Sequence, residues 1–201
     1  MFVLKKDDPS FQYVSERNRA QQYDFLRTAF EVWAEHRSDF PIDRQFLCDL
    51  NFYAVQYLSE QPGRYRQGKN VVVGQHKPPP HEEVEALMAR FWDNLNRLWE
   101  RMSPVETAAY AIWAVNHIHP FMEGNGRSSR ALCYFIICVK YQLWLPGSLS
   151  LPEQIRLPHR PRYCEILGRM DDAMEPDGLT DLQEMTGFLS ELLTDQLKSV
   201  P

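Results

Sequence analysis

The stretch HPFMEGNGRSSR, residues 119–130, places an imidazole, a carboxylate, two guanidinium groups and a Gly-Asn-Gly turn next to one another. These types at this spacing suit phosphate chemistry. Gly124 and Gly126 permit backbone angles that other residues avoid, so successive free N–H groups there can form a concave nest for an anion. The apolar run ALCYFIICV follows directly. It predicts a buried helix over roughly 127–142, whose positive N-terminal end adds to the nest. Arg127 and Arg130 are three apart and share a face of its first turns. Two cations there oppose the helix dipole unless an anion, such as a polyphosphate, neutralises them. Glu123 would repel that anion unless a divalent cation, Mg²⁺ or Mn²⁺, sat between them, and such ions bind through one or two carboxylates plus phosphate oxygens. His119, at the end of the preceding helix, can as a neutral imidazole take a proton from a hydroxyl nucleophile. Phe121 alternates with these polar groups and is expected to point inward and anchor the loop. The set makes a phosphoryl- or nucleotidyl-transfer site. The same residues also have a structural reading: a histidine at a helix end, arginines on a solvated face, glycines that only turn a loop.

The elements that must position this loop are helical. Residues 15–36 place Tyr23, Leu26, Phe30 and Trp33 at helical spacing, and 42–60 repeat the habit with Phe46, Leu50, Tyr53 and Tyr57. Residues 81–101 carry Val84, Leu87, Met88, Phe91, Leu95 and Leu98 at the same period. SPVE then opens another helix: Ser103 caps, Pro104 suits the first position, and Glu106 completes a capping box. Two or three further helices are expected over 151–198. One segment departs from the pattern. GRYRQGKNVVVGQHKPPP predicts a short polar strand, a turn at Gly68-Lys69-Asn70 and a strand at Val71–Val73. Two strands alone make no sheet core, so a hairpin lying on a helical body is expected.

The 201 residues carry a net charge of −5 and 44% hydrophobic residues. That fits a soluble globular chain and gives no global field for nucleic acid. No signal-peptide-like leader and no stretch of about 18 apolar residues is present, so no membrane partner is expected. Cys48, Cys133, Cys138 and Cys164 lack metal-like pairing. They suit a reducing compartment, the cytoplasm. HEEVE at 81–85 lacks the second histidine of a zinc helix. His117, two residues before His119, is expected to face elsewhere, and His36 and His159 have no evident partners.

HPFMEGNGRSSR resembles the signature of Fic-domain proteins: His, any residue, Phe, any residue, Asp or Glu, Gly-Asn-Gly-Arg, two residues, Arg. Every fixed position matches. Gly63, Tyr65, Arg66, Val71, Val73, Gly74, His76, Pro78 and Pro79 are similar to the family's flap and its proline-rich exit. The likeness covers roughly 60–170 and implies an all-α helical bundle with a small β-hairpin flap over the active site. Residues 1–40 would be a helical extension and 41–201 the Fic domain. It also implies transfer of AMP from ATP to a hydroxyl side chain of a target protein, releasing pyrophosphate. By position His119 would be the base and Glu123 the metal ligand. Gly124, Asn125 and Gly126 would line the anion hole, and Arg127 and Arg130 would hold phosphates. Tyr65, Arg66 and Val71, Val72 and Val73 would form the docking flap, aligning the target as an added strand. The alternatives are another Fic-type phosphoryl or nucleotidyl transfer, AMP removal, or a non-catalytic adaptor. Many relatives carry an inhibitory glutamate that pairs with the second arginine. Here only Thr180 has a glutamate four residues on, Glu184, and Met185 breaks the pattern. Glu184 is expected in water, leaving inhibition to a separate partner, to residues beyond this sequence, or to nothing.

Overall fold

The computed structural model describes residues 2–36, 42–74 and 76–200. The expected domain boundary at 40/41 lies outside the described residues. Among the described residues eight α-helices follow one another: α1 (Phe11–His36), α2 (Arg44–Val55), α3 (Val84–Trp99), α4 (Pro104–Ile118), α5 (Asn125–Tyr141), α6 (Leu151–Arg156), α7 (Arg160–Asp172) and α8 (Gln183–Lys198). A 3₁₀ turn, His81–Glu83, leads into α3. The all-α architecture is the one the sequence implies.

The sequence explains which helices sit inside. α4 is apolar on nearly every side, with Val105 and Thr107 through Val115 all buried. A helix that is apolar all round belongs in a core. α5 buries Ser128, Ser129 and the whole run Ala131–Val139. These two helices make the most extensive pairing in the molecule. α3, α7 and α8 cover α4, while α1, α2 and α6 cover α5. The outer helices show one apolar stripe each. In α8, Met185, Phe188, Leu189, Leu192 and Leu193 are buried while Glu184 is exposed.

Local signals fix the ends of α4. Ser103 Oγ accepts the Glu106 N–H at 3.3 Å, and the Glu106 carboxylate accepts the Ser103 N–H at 2.9 Å, completing the capping box. Lys140, near the end of α5, donates to the Met102 carbonyl at 2.8 Å, to the Thr107 hydroxyl at 3.1 Å and to the Trp99 carbonyl. The junction between α3 and α4 is thereby tied to α5. Thr180 behaves differently from a helix start. Its hydroxyl donates to the Met170 carbonyl, and α8 begins only at Gln183.

The flap also departs from its expected form. Among the described residues 60–80 there is one antiparallel bridge, Val73 with His76, each N–H donating to the other's carbonyl at 3.0 Å. The bridged turn runs through Gly74, with φ of 61°, beyond the expected turn at Gly68–Asn70. The reason is upstream: Arg66 is drawn into the helical body, so no polar strand is left to pair with Val71–Val73.

The two kinds of contact predict different stabilities. Ile136→Ala empties a fully buried site in α5 and is expected to cost about 2–5 kcal/mol. Ser103→Ala removes only a cap and is expected to cost about 1 kcal/mol. Urea denaturation of both variants checks the ranking, and an equal loss would contradict it.

Candidate active site

The loop 119–124 runs between the two central helices, and its shape follows from three residues. His119 ends α4 in the left-handed conformation, φ 53° and ψ 58°, its N–H still donating to the Val115 carbonyl. Pro120 follows and cannot extend the helix. Gly124 is also left-handed, φ 84°. A Cβ there would stand 2.5 Å from Val55 Cγ1 and 3.0 Å from Asn51 Nδ2. Both the backbone angle and the close approach of α2 therefore require glycine. Between them Phe121 is fully buried, edge-on to Tyr65 at 5.4 Å.

Asn125 closes the loop. Its Nδ2 donates to the Phe121 carbonyl at 2.8 Å, and its Oδ1 accepts the Phe121 N–H at 2.9 Å. The side chain is 2% exposed with both polar atoms satisfied. It can therefore offer an anion only its backbone N–H. Asn51 braces the loop from α2. Its Nδ2 donates to the Glu123 carbonyl at 2.9 Å, and its Oδ1 accepts the Gly63 N–H at 2.9 Å. One buried side chain thus joins α2, the loop and the foot of the flap.

The first turn of α5 remains open to a ligand. Among the described residues the N–H groups of Asn125 and Gly126 have no hydrogen-bond partner, whereas those of Arg127 and Ser128 donate back to the Gly124 carbonyl. Arg130 folds over this end: a Cβ on Gly126 would come within 3.0 Å of Arg130 Nη1. Arg127 Nη1 donates to the Ala54 carbonyl at 2.5 Å. Among the described residues no carboxylate lies within ion-pair distance of either guanidinium. Burial, then the like charge of Arg130, pulls Arg127 below its ordinary pKa, and burial does the same to Arg130.

His119 and Glu123 flank this turn. Nδ1 of His119 lies 3.3 Å from the Asn116 carbonyl, which can only accept. In this contact Nδ1 carries the hydrogen and Nε2 keeps its lone pair. Burial pushes the ring down to about 4 against the Asn116 hydrogen bond, helped by the nearby charges of His76 and Arg66. At neutral pH the imidazole is in its basic form. Glu123 is half-exposed, and its carboxylate meets Lys6 of the N-terminal segment at 3.1 Å. Lys6 is itself largely exposed, so the pair is weak and easily opened.

The flap residues divide into two groups. Tyr65 and Arg66, expected on the docking face, are turned inward. Arg66 is 1% exposed. Its Nε donates to the His119 carbonyl at 2.8 Å, Nη2 to Pro79 at 2.5 Å and to Ile118 at 3.4 Å, and its own N–H to Pro120 at 2.7 Å. Tyr65 is buried under the Arg44 guanidinium, which stands 4.5 Å from its ring centre. Val72 and Val73 are exposed and Val71 partly so. The N–H groups of Val71 and Val72 make no backbone hydrogen bond among the described residues.

Sequence reasoning misses Asn51, Asn116 and the positioning role of Arg66, because each acts on a residue distant in the chain. Asn116 Nδ2 donates to Ser129 Oγ at 2.7 Å and to Tyr163 Oη at 2.9 Å, linking α4, α5 and α7 beside the loop. Glu184, singled out for its spacing from Thr180, is exposed and paired with Arg169 at 2.6 Å, not with Arg130. Among the described residues no helix is long and apolar enough to cross a membrane.

Residues 41–137 match the model of the Fic/DOC family. A protein adenylyltransferase Fic from Culex quinquefasciatus is 31% identical over 156 residues, covering 77% of this chain and 29% of that protein. One from Nematostella vectensis is 40% identical over 110 residues, covering 54% and 24%. The chain thus spans less than a third of the curated relatives it matches. Among solved structures, a Fic domain containing signaling protein from Bacteroides thetaiotaomicron superposes with a TM-score of 0.70 at 22% identity, covering 92% of this chain and 71% of that one. A Fic family protein from Desulfovibrio desulfuricans gives 0.66 at 24% identity, covering 90% and 51%. Motif, helical frame and family match agree, and the chain is a Fic-domain protein.

Proposed function

We propose that this Fic domain is a protein adenylyltransferase, moving AMP from ATP to a hydroxyl side chain of a target protein. The observation that carries the proposal is the juxtaposition of a neutral His119 with the open, doubly cationic first turn of α5. The adenylyltransferase names of the relatives support the same reading. The free N–H groups of Asn125 and Gly126 would bind phosphate oxygens, and Arg130 and Arg127 would balance their charge. His119 Nε2 would take the proton as the target oxygen attacks the α-phosphorus in line. One oxygen–phosphorus bond forms, the bond to the bridging oxygen breaks, and pyrophosphate leaves with that electron pair. As in other phosphoryl transfers, the protein's part is positioning and charge stabilisation. Val71 and Val72, whose N–H groups make no backbone hydrogen bond among the described residues, would hold the target as an added strand.

Glu123 fits a resident divalent cation, Mg²⁺ or Mn²⁺. Its carboxylate is accessible, beside the open first turn of α5, and among the described residues its one ion pair is with an exposed lysine. A hard cation there would neutralise charge between carboxylate and phosphate. The carboxylate itself holds and orients.

His119→Ala is expected to lower AMP transfer about a hundred- to ten-thousandfold, the range for a lost general base, and to leave ATP binding nearly intact. The acid limb belongs with it. A depressed imidazole stays basic as pH falls past 6.5 and is protonated only near 4. An NMR titration of the His119 ring checks this, and a midpoint near 6.5 would remove the basis for the assignment. Incubation with α-labelled ATP and lysate tests the reaction itself: a target carrying labelled AMP is expected, and γ-label transfer or no transfer would refute the assigned activity.

Glu123→Ala is expected to abolish the dependence of transfer on Mg²⁺ together with the activity. Retention of normal Mg²⁺ stimulation would make this carboxylate structural.

Glu184→Gly is expected to leave auto-modification unchanged, because Glu184 pairs with Arg169 and lies outside the arginine cradle. Its effect should be a helix penalty of about 1 kcal/mol. Strong activation in the variant would identify Glu184 as an inhibitor after all.

A further inference from the structure

Three chemistry-bearing side chains outside the 119–130 loop converge from separate elements. His76 follows the flap turn, His117 lies in the last turn of α4, and Asp171 stands near the end of α7. Asp171 Oδ2 is 3.0 Å from His76 Nδ1, and its Oδ1 is 2.8 Å from His117 Nδ1. One ligand atom from each residue lies within 4.8 Å of the others. All three are partly buried, with side chains 25%, 17% and 22% exposed.

The hydrogen-bond arithmetic of His76 calls for a cation. Its Nε2 lies 3.0 Å from the His117 carbonyl, an acceptor only, so Nε2 carries hydrogen. Its Nδ1 faces the Asp171 carboxylate, also an acceptor only. A neutral imidazole has one N–H and cannot satisfy both. A second proton, on Nδ1 or on the carboxyl, or a metal ion must therefore lie between the two.

The surroundings are those of a metal site. A metal-bound histidine almost always donates its other ring N–H to a carbonyl or carboxylate, as His76 does to the His117 carbonyl. Trp113 Nε1–H donates to Asp171 Oδ1 at 2.8 Å and orients the carboxylate from behind. Two imidazoles and one carboxylate match the three protein ligands of an open four-coordinate zinc set. Around such an ion, with bonds of about 2.0–2.1 Å, ligand atoms stand about 3.3 Å apart. The pairs at 2.8 Å through Oδ1 and 3.0 Å through Oδ2 would open slightly, and the three ligand atoms already lie within 4.8 Å of one another.

We propose that His76, His117 and Asp171 form a site for a zinc-class divalent transition-metal ion, which fastens the flap to α4 and α7. It is separate from the hard-cation position at Glu123 in both ligand chemistry and residues. Its consequence is mechanical: the turn that follows Val71–Val73 is tied to the helix that presents His119.

The test is metal titration of the EDTA-treated, dialysed full chain, with Co²⁺ as spectroscopic probe and Zn²⁺ as competitor. One equivalent of Co²⁺ is expected to give the visible bands of a four-coordinate site, displaced by one equivalent of Zn²⁺. His76→Ala and Asp171→Asn should each weaken Zn²⁺ binding by more than about 100-fold, beyond the 10–100-fold of a lost outer-shell partner. Glu123→Ala should leave it unchanged. Circular dichroism of the metal-free variants verifies folding. If Asp171→Asn does not fold, His76→Ala, on the flap outside the core, decides. Absence of the bands, unchanged affinity in His76→Ala, or loss of binding in Glu123→Ala would each overturn the site and leave a proton between His76 and Asp171.

Discussion

The candidate site depends on the two hydrogen bonds by which Asn125 holds the backbone of Phe121. They close a short loop on itself at the place where α4 must stop and α5 must start. Each is worth only about 1 kcal/mol net, but either partner left unmade in that buried setting costs more. The clasp is therefore kept or lost as a unit. It sets the end of α4, which carries His119, at a fixed distance from the open N–H groups of α5. It also explains why a polar residue in the middle of the motif has its side chain turned into the loop.

Arg66 extends the same logic to the flap. A buried guanidinium is costly unless its donors are satisfied. Here they reach carbonyls at the C-terminal end of α4, where the helix dipole is negative. The cation thus uses the carbonyls that α4 leaves open at its end. The root of the flap and the backbone of His119 share one interaction, so a displaced flap would disturb the base. Val72 and Val73, beyond that root, stay exposed. A rigid foot below exposed residues with unused N–H groups at Val71 and Val72 would suit a segment that receives another chain.

Most of the frame is legible in the sequence because it rests on local rules. The 3.6-residue period places the long helices, and Ser103, Pro104 and Glu106 fix the start of α4 to the residue. The motif predicts its own loop because glycine at 124 supplies the left-handed backbone angle that the turn into α5 requires. The period likewise sends Glu184 outward. What the sequence does not show is pairing across the chain. Nothing near Arg66 says that it will serve carbonyls more than fifty residues away, so a flap strand is expected where an inward-turned arginine stands. His76, His117 and Asp171 are equally silent, since none lies at helical spacing from another.

The site is electrostatically incomplete by itself, and this bears on what it binds. Arg127 and Arg130 sit at the positive end of α5, repel each other, and find no carboxylate among the described residues. His119 adds no charge because burial keeps it neutral. Glu123, the acid of the motif, is engaged by Lys6 instead. A fold that only needed stability would replace such cations or pair them. Leaving two of them unpaired above free N–H groups stores affinity for a polyanion. The neutral base beside them can then accept a proton without first losing one. On the proposed function, a polyphosphate that settled the arginines would bring a divalent cation to Glu123 in place of Lys6. Substrate binding and assembly of the catalytic charges would then be a single event.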